Sequence, residues 1–219
     1  MTLALFDLDN TLLSDDSDYQ WGEFLVSKNL VDAETYAQRN RQFYQQYEDG
    51  TLDIHEYCAF TLEPLACRSM EELAELHKEF MRDFIEPKMS NKSKALIAQH
   101  KALEHTLMVI TATNSFVTRP IVTAFGIDNL IAIEPKISNG RYTTEIDGIP
   151  SFQEGKVKRL EAWLAEHDET MEDSYFYSDS HNDLPLLEKV ANPIAVDPDP
   201  ILEAIARERH WDIISLIDD

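Results

Sequence analysis

Short apolar segments that alternate with helical ones set the strongest limit on how this chain can fold. Residues 3–8 form the first apolar segment, and from residue 88 onward similar segments return between stretches with helical spacing. Such an alternation favours an α/β fold, with a doubly wound, mostly parallel sheet and helices on both of its faces. The carboxyl ends of the strands then share one edge, where such sheets bind their ligands. We therefore expect the functional site at that edge.

Apolar patterns and turn residues assign the individual segments. The predicted strands are residues 3–8, 106–110, 130–134, 174–178 and 193–196, and the predicted helices between them are residues 91–100, 115–125, 156–167, 183–190 and 200–207. Asn139-Gly140 and Asp147-Gly148 are two hairpin-type turn signals. Pro120 is expected to bend or interrupt its helix.

The stretch from residue 18 to residue 87 has a different character, because it contains no convincing strand. Its predicted helices are residues 21–28, 33–47, 54–62 and 71–85, with Asp53 and Ser69 as N-caps. We therefore predict a Rossmann-like core made of residues 1–14 and 88–219, and an inserted all-helical cap made of residues 15–87.

The composition is strongly acidic: 41 Asp and Glu residues against 19 Lys and Arg residues give a formal charge of -22. Such a surface repels nucleic acids and anionic membranes, so we expect neither as a partner. Any bound anion must then be neutralised locally, by a metal ion, a lysine or backbone N–H groups. The sequence leaves the oligomeric state open.

The expected location is the cytoplasm. Cys58 and Cys67 are too few for a disulfide scaffold and fit a reducing compartment. The first residues lack the basic and long apolar regions of a secretory signal. No apolar run approaches the ~18 residues that a membrane span needs.

Four carboxylates follow two of the predicted strands. Asp7 and Asp9 end the first strand, and Asp179 and Asp183 follow residues 174–178. Asp7 and Asp9 would point to opposite sides of an extended strand, so the chain must bend there for both to reach one site. Carboxylates packed together need a compensating cation. Mg²⁺ is the expected one, because it binds a few carboxylates together with water and phosphate oxygens.

Other residues could hold an anion beside these acids. Thr111 offers a hydroxyl at the end of a predicted strand, and Ala112 and Thr113 follow it with backbone N–H groups. Lys156 lies at the start of a predicted helix, where the helix dipole disfavours a cation. That position makes sense if the lysine binds an anion.

Together these residues resemble the haloacid dehalogenase superfamily of phosphohydrolases. The four motifs are Asp7-x-Asp9-x-Thr11, a strand ending in Thr111, Lys156, and Ser178-Asp179-Ser180-x-x-Asp183. The resemblance extends over both segments of the predicted core, residues 1–14 and 88–219. The helical cap resembles that of the phosphoserine-phosphatase-like branch. Ser178 is a departure, because many relatives have glycine there. It is expected to narrow the freedom of the backbone without removing activity.

The resemblance implies an Mg²⁺-dependent phosphomonoesterase that acts on a small phosphorylated metabolite. Asp7 is implied to be the nucleophile that becomes an aspartyl-phosphate, and Asp9 the general acid and base. Asp183 is implied to orient a metal-bound water or Lys156. The implied Mg²⁺ ligands are Asp7, the backbone carbonyl of Asp9, and Asp179, and the implied phosphate ligands are Thr111, Ala112 and Lys156.

Three segments are similar to a bacterial subgroup of this branch that includes histidinol-phosphate phosphatases. They are Asp16-Ser17-Asp18-Tyr19-x-Trp21-Gly22, Pro150-Ser151-Phe152-x-x-Gly155-Lys156 and Ser180-His181-Asn182-Asp183-Leu184-Pro185. The candidate substrate contacts are Asp16, Asp18, Tyr19 and Asn182. Carboxylates at the start of the cap suit an amine or imidazolium on the leaving group. Equally, Asp16 or Asp18 can be an N-cap, and Tyr19 can pack in the core.

Several alternatives stay open. A phosphoserine substrate would need an arginine for its carboxylate, and the candidates are Arg39, Arg41, Arg68 and Arg82. Histidinol phosphate is the favoured substrate, and another small phosphate ester is a further alternative. A non-enzymatic phospho-acceptor domain would place its aspartate after a middle strand, whereas Asp7 follows the first. An inactive scaffold is disfavoured because the catalytic positions are filled, and a dehalogenase has little need for Asp179 and Asp183. His181 is expected to be a loop contact, since no second histidine stands at zinc-ligand spacing.

Overall fold

Buried apolar strands form the centre of the structure, a computed structural model that describes residues 2–218. All four residues of strand β1 (Leu3–Phe6) are buried, and β1 lies between β2 (Thr106–Asn114) and β5 (Tyr175–Ser178). A strand covered on both faces reads as a continuous apolar run, which accounts for its sequence. The remaining strands are β3 (Asn129–Ser138), β4 (Arg141–Asp147), β6 (Asn192–Val196) and β7 (Asp212–Ile214).

The sheet has the strand order β4-β3-β2-β1-β5-β6-β7. Only β4 runs antiparallel to its neighbour among these paired strands of residues 2–218. The order reverses at β1, so a crevice for ligands is expected at the carboxyl ends of the central strands. The predicted α/β class with a doubly wound, mostly parallel sheet is confirmed.

Helices cover both faces of the sheet. They are α5 (Asn91–Ala102), α6 (Ser115–Ala124), α7 (Glu154–His167), α8 (Leu184–Leu187) and α9 (Pro200–Glu208). Because successive side chains of a strand point to opposite faces, β1 contributes to two apolar cores. Ala4 and Phe6 belong to the core that includes Val117 of α6, whereas Leu3 and Leu5 belong to the one that includes Val157 of α7.

The insertion between β1 and α5 is helical, as predicted. Its helices are α1 (Ser17–Ser27), α2 (Ala33–Glu48), α3 (Ile54–Ala66) and α4 (Met70–Phe80), followed by turns over Met81–Ile85 and Glu86–Lys88. The predicted N-caps Asp53 and Ser69 are confirmed, since their side chains accept hydrogen bonds from first-turn N–H groups. A bridge between Leu13 and Met89 joins the two ends of the insertion. The division into core and cap domains stays a prediction.

Some boundaries differ from the sequence predictions. Strand β2 runs four residues past its expected end, and its pairing with β3 shifts between Ile110 and Asn114, as at a β-bulge. β7 was not predicted, because three largely exposed residues give no apolar pattern. The helix expected at 183–190 is instead a 3₁₀ turn (His181–Asp183) followed by α8.

The local turn and proline predictions were met in part. Asn139 and Gly140, with φ of 50° and 73°, form the predicted hairpin turn between β3 and β4. Gly148 has φ of 75° but only ends β4, so the second turn signal does not connect paired strands. Helix α6 continues through Pro120 without interruption. Within residues 2–218, no helix combines the length and apolar character that a membrane crossing requires.

Candidate active site

The carboxyl ends of β1 and β5 bring the first and last acidic motifs together. Asp7 directly follows β1, and its backbone N–H donates to the carbonyl of Tyr177 in β5 at 2.9 Å. Asp179 directly follows β5. The hydroxyl of Thr11 donates to Asp179 Oδ1 at 3.1 Å and accepts a hydrogen bond from the Asp179 N–H at 3.1 Å. Thr11 therefore fixes Asp179 against the loop that carries Asp7.

The bend that Asp7 and Asp9 require is present. After β1 the chain makes a wide turn over Leu8–Leu12, in which Asp9 keeps extended angles and Asn10 adopts a left-handed conformation with φ of 54°. Both Asp7 and Asp9 consequently line the same cavity. The structure thus places two acids, one residue apart, on one side of the chain.

Lys156 is buried between two carboxylates. Its Nζ lies 2.8 Å from Asp7 Oδ1 and 2.7 Å from Asp183 Oδ1, and the residue is 3% exposed. It stands in the first turn of α7, where Gly155 packs against the chain so closely that an added Cβ would lie 1.9 Å from the Pro150 carbonyl oxygen. Only glycine fits there. Glycine precedes Lys156 because the start of α7 packs closely against Pro150, and this packing places the lysine in the site.

Asp183 stands behind Lys156 and is also bound to Ser178. The Ser178 hydroxyl donates to Asp183 Oδ2 at 2.7 Å. Ser178, which replaces the glycine of many relatives, has no positive φ, so its backbone does not require glycine. The departure from the motif therefore supplies a hydrogen bond.

Asp9 is held by groups from two different segments. Its Oδ1 accepts the Ser17 N–H at 2.7 Å, and its Oδ2 accepts the Thr113 hydroxyl at 2.8 Å. The Thr111 hydroxyl lies farther away, at 3.5 Å. The sequence pattern predicts only the N–H of Thr113 as an anion donor and assigns no role to its hydroxyl. Its position two residues after Thr111 in an extended strand was the available signal.

Crowding of acids raises several pKa values. Burial, together with the charges of Asp183 and Asp9, raises the pKa of Asp7 despite the nearby Lys156. Burial and the charges of Asp7 and Asp183 raise the pKa of Asp179 well above its usual range. Burial lowers the pKa of Lys156, but the two carboxylates that it contacts more than offset this and raise it. One lysine therefore faces three carboxylates, and a further cation would relieve their repulsion.

This donor chemistry fits Mg²⁺ in charge and in ligand type. Two acidic side chains, Asp7 and Asp179, are available at the strand ends, and hard divalent cations prefer oxygen ligands. Within residues 2–218, no group of three or more His, Cys, Asp or Glu side chains is arranged to hold a metal ion. The side chains alone thus make an incomplete site. A backbone carbonyl, water and a phosphate oxygen would have to supply the other ligands.

A cavity of about 300 Å³ connects these groups to the helical cap. Eight of the predicted site residues line it: Asp7, Asp9, Asp16, Tyr19, Thr111, Ala112, Lys156 and Asp179. The other three are buried beside it and bound to protein groups. Asp183 contacts Lys156, Asp18 accepts the Tyr57 hydroxyl at 2.6 Å, and the Asn182 amide donates to the Tyr47 carbonyl at 3.0 Å.

The start of α1 carries both candidate cap acids. Asp16 is the N-cap of α1, since its Oδ1 accepts the N–H groups of Asp18 and Tyr19 at 2.9 and 2.8 Å. It lines the cavity in addition. Burial raises the pKa values of Asp9, Asp16 and Asp18 to about 6, and their mutual repulsion adds to the effect. The cap end of the cavity is therefore strongly electronegative.

Arginines are absent from the described lining of the cavity, although the cap contains four. Arg39 pairs with Glu56, Arg82 with Asp83, and Arg68 donates to the carbonyls of Leu30 and Pro64, while Arg41 is exposed. His181, the first residue of the 3₁₀ turn, lines the cavity, and its Nδ1 lies 2.8 Å from Asp199 Oδ2. The basic side chains of the described lining are thus those of Lys156 and His181.

The fold and the site together define a class of hydrolases. Its features here are a doubly wound sheet, a lysine-paired aspartate after the first strand, further acids after a neighbouring strand, and a helical insertion. The chain belongs to the haloacid dehalogenase-like hydrolase family, whose model matches residues 4–188. The predicted family resemblance is confirmed.

Individual relatives agree with this assignment. The chain is 46% identical to a protein of Neisseria meningitidis serogroup C (strain 8013) named histidinol-phosphatase. The match extends over 217 residues and covers 97% of this chain and 98% of the relative. Together with the family match, this confirms the predicted enzyme class, a phosphoric monoester hydrolase.

Solved structures show the same fold. A crystal structure of a protein of unknown function from Bordetella pertussis Tohama I has a TM-score of 0.93 and 46% identity, covering 99% of this chain and 100% of the other. A substrate-bound phosphoserine phosphatase has a TM-score of 0.72 over 100% of this chain and 94% of its own, but only 18% identity. The latter likeness concerns the fold alone.

Proposed function

We propose that this enzyme is an Mg²⁺-dependent histidinol-phosphate phosphatase of the cytoplasm, which serves histidine biosynthesis and works through an aspartyl-phosphate on Asp7. The observation that carries the substrate assignment is the cavity. Its lining combines Asp7 and Lys156 with the acidic Asp16 and several aromatic rings, and its described lining contains no arginine. The relative named histidinol-phosphatase supports the same choice.

In the first step, an Asp7 carboxylate oxygen attacks phosphorus and the bond from phosphorus to the ester oxygen breaks. The departing alkoxide takes a proton from Asp9, so the alcohol leaves neutral. The raised pKa of Asp9, about 6, suits this exchange, because the group can be protonated near neutral pH. The hydroxyl of Thr113 holds the carboxyl in place.

In the second step, the ionised Asp9 takes a proton from water as the water oxygen attacks the phosphoryl group. The bond from phosphorus to Asp7 breaks, which releases inorganic phosphate and restores the free carboxylate. Lys156 and the N–H groups that follow Thr111 stabilise the equatorial oxygens of the transferring group. Asp183 and Ser178 keep the lysine and its neighbours in position.

Mg²⁺, when bound, supplies positive charge that lets Asp7 and the substrate phosphate approach each other. The residues proposed to hold it are Asp7 and Asp179 through their carboxylates and Asp9 through its backbone carbonyl. Thr11 orients Asp179 for this purpose. Burial and the charges of neighbouring carboxylates raise the pKa values of Asp7 and Asp179, and this is the reason to expect a cation there.

Histidinol phosphate fits the cap residues of the cavity better than phosphoserine does. Its leaving group has an amine and an imidazole, so it can present positive charge to Asp16 and a flat ring to Tyr19 or Phe43. Phosphoserine would place a carboxylate in the same region, where Asp16 repels it and no described arginine receives it. Phosphoserine therefore remains the second candidate, on the strength of the shared fold.

Phosphate release from a panel of substrates tests the proposal. The wild-type enzyme with Mg²⁺ should give the highest kcat/KM with histidinol phosphate, compared with phosphoserine and sugar phosphates. Asp7→Asn should abolish release while circular dichroism stays unchanged, and Asp168→Asn, an exposed change at the end of α7, should leave activity intact. A higher kcat/KM for phosphoserine would overturn the substrate assignment.

A further inference from the structure

The polar groups that the helical cap contributes to the cavity include a carboxylate, an amide and a phenol, one from each of its first three helices. Asp16 caps α1, Asn40 lies in α2 and Tyr57 lies in α3, and all three line the cavity. Asp16 lies close to Asp9, because the N–H of the next residue, Ser17, donates to Asp9 Oδ1 at 2.7 Å. These cap groups therefore adjoin the acid that faces the leaving group of a phosphate ester. Their chemistry therefore bears on which leaving group is accepted.

Asn40 is a buried amide that the protein itself does not satisfy. The residue is 7% exposed, and its side chain forms no hydrogen bond with any other residue in the described part of the chain. Its amide atoms are open to the cavity rather than sealed in the packed core, so a ligand can replace the water there. Since Asn40 lines the cavity, a bound molecule is the available partner for its carbonyl oxygen.

Tyr57 is fixed as a hydrogen-bond acceptor. Its hydroxyl donates to Asp18 Oδ2 at 2.6 Å, so the single proton of the phenol is already used. The phenol oxygen has only its lone pairs left, so it can accept but not donate a further hydrogen bond. Burial and the negative charges of Asp18 and Asp16 raise the pKa of Tyr57 far above its usual range, so the phenol stays protonated.

Asp16 completes the set as an anionic acceptor. Its Oδ1 is occupied by the two N–H groups of the first turn of α1, whereas Oδ2 accepts no hydrogen bond from residues 2–218. Asp16, Asn40 and Tyr57 thus offer a carboxylate oxygen, an amide carbonyl and a phenol oxygen. A protonated primary amine, with three N–H donors and one positive charge, matches them in number and in sign.

We propose that Asp16, Asn40 and Tyr57 form an ammonium-binding subsite that selects substrates with a protonated primary amine on the leaving group, and that Asp18 is a positioning residue that fixes Tyr57 as an acceptor. This assignment rests on the proposed phosphatase function and adds the contacts that determine its specificity. The sequence expectation that Asp18 contacts the substrate is replaced by an indirect role, because Asp18 is bound to Tyr57 instead.

The experiment compares histidinol phosphate with 3-(imidazol-4-yl)propyl phosphate, which keeps the ring and the chain but lacks the amine. In the wild type, KM for the amine-free ester should be higher. Tyr57→Phe and Asn40→Leu should each raise KM for histidinol phosphate by about 10-fold or more, the usual effect of losing a hydrogen bond to a charged group. Both variants should leave KM for the amine-free ester and both kcat values within about 2-fold.

Tyr36→Phe is the matched control, because Tyr36 is a buried tyrosine near Asp18 that does not line the cavity. It should not change the ratio of the two KM values. Asp18→Asn should raise KM for histidinol phosphate and leave KM for the amine-free ester unchanged. If the Tyr57–Asp18 hydrogen bond only held α1 and α3 together, the variant would not distinguish the two esters.

The outcomes separate the two proposals. If Tyr57→Phe and Asn40→Leu change KM equally for both esters, or for neither, the ammonium subsite is wrong. If the wild type hydrolyses neither imidazole ester but releases phosphate from another ester, the proposed substrate is wrong. In that case, the same variants tested with amine-bearing and amine-free esters of the accepted type decide the subsite.

Discussion

Asp18→Asn is expected to stabilise the protein while it impairs substrate selection. Asp18 is 5% exposed, Tyr57 donates to its Oδ2, and its Oδ1 has no hydrogen-bond partner among residues 2–218. Burial and repulsion from Asp9 raise its pKa from 3.8 to about 6. Asparagine carries no charge, and its amide can present either an oxygen or an N–H₂ group to the Tyr57 hydroxyl, so Tyr57 is no longer fixed as an acceptor.

The magnitude follows from the pKa. Each tenfold change in proton affinity corresponds to ~1.4 kcal/mol, so keeping Asp18 ionised in the fold costs ~3 kcal/mol above pH ~6. One polar group of the new asparagine amide is buried without a partner, and this lowers the gain in the free energy of unfolding by about 1 kcal/mol. We therefore expect Asp18→Asn to raise the free energy of unfolding by ~2 kcal/mol at pH ~8.

The pH dependence gives the sign. Because the folded pKa of Asp18 lies above the unfolded value, the folded state binds more protons between the two, and this contribution to wild-type stability is lost as the pH rises through about 6. The gain in Asp18→Asn should thus be absent below pH ~4, where both states of the wild type hold the proton. Asp32→Asn should show the opposite trend, because hydrogen bonds from Thr35 lower the pKa of this exposed N-cap.

Urea unfolding followed by circular dichroism at several pH values measures both variants. A loss of stability in Asp18→Asn at pH ~8, or a change that is the same at all pH values, would refute the assigned buried charge. Stabilisation together with a higher KM for histidinol phosphate would identify Asp18 as a residue kept for function at the expense of stability.

Three other predictions concern the strand-end groups. Lys156→Met should lower the free energy of unfolding by about 3–5 kcal/mol at pH ~7, because buried carboxylates lose their partner. The control is Lys158→Met at an exposed position, which should change the free energy of unfolding little. Equal effects of the two variants in urea unfolding would contradict the buried pairing. Thr113→Val should lower kcat for histidinol phosphate about 10-fold through the lost contact with Asp9, and an unchanged kcat would show that this hydroxyl is dispensable. Chelation should stop phosphate release, and added Mg²⁺ should restore it. Mg²⁺ should also raise the melting temperature of the wild type more than that of Asp179→Asn. Activity that survives thorough chelation would exclude the metal.

The fold was largely predictable because its strands are buried on both faces. Runs such as Leu3–Phe6 and Tyr175–Ser178 are visible in the sequence, because nearly all of their side chains are buried and apolar or aromatic residues predominate. β7 lacks that signal, as it is a short edge strand with exposed residues. The extension of β2 to Asn114 was also not predictable, because a bulge depends on pairing with β3.

The core of the site was predictable for a related reason. Parallel strands deliver their carboxyl ends to one edge, so acids after β1 and β5 meet whatever their separation in sequence. The cap contacts depend instead on how helices pack. Nothing in the sequence indicates that Asn40 faces the cavity without a partner, or that Tyr57 donates to Asp18. Helical periodicity gives the buried side of a helix but not its partner.

The most direct test of the account is to trap the phosphorylated enzyme. Wild-type protein turning over histidinol phosphate with Mg²⁺ would be quenched in acid, digested and analysed by mass spectrometry. We expect one phosphoryl group on the peptide that contains Asp7, and none in Asp7→Asn. A wild-type enzyme that releases phosphate while carrying the phosphoryl group on another residue would contradict the central role of Asp7.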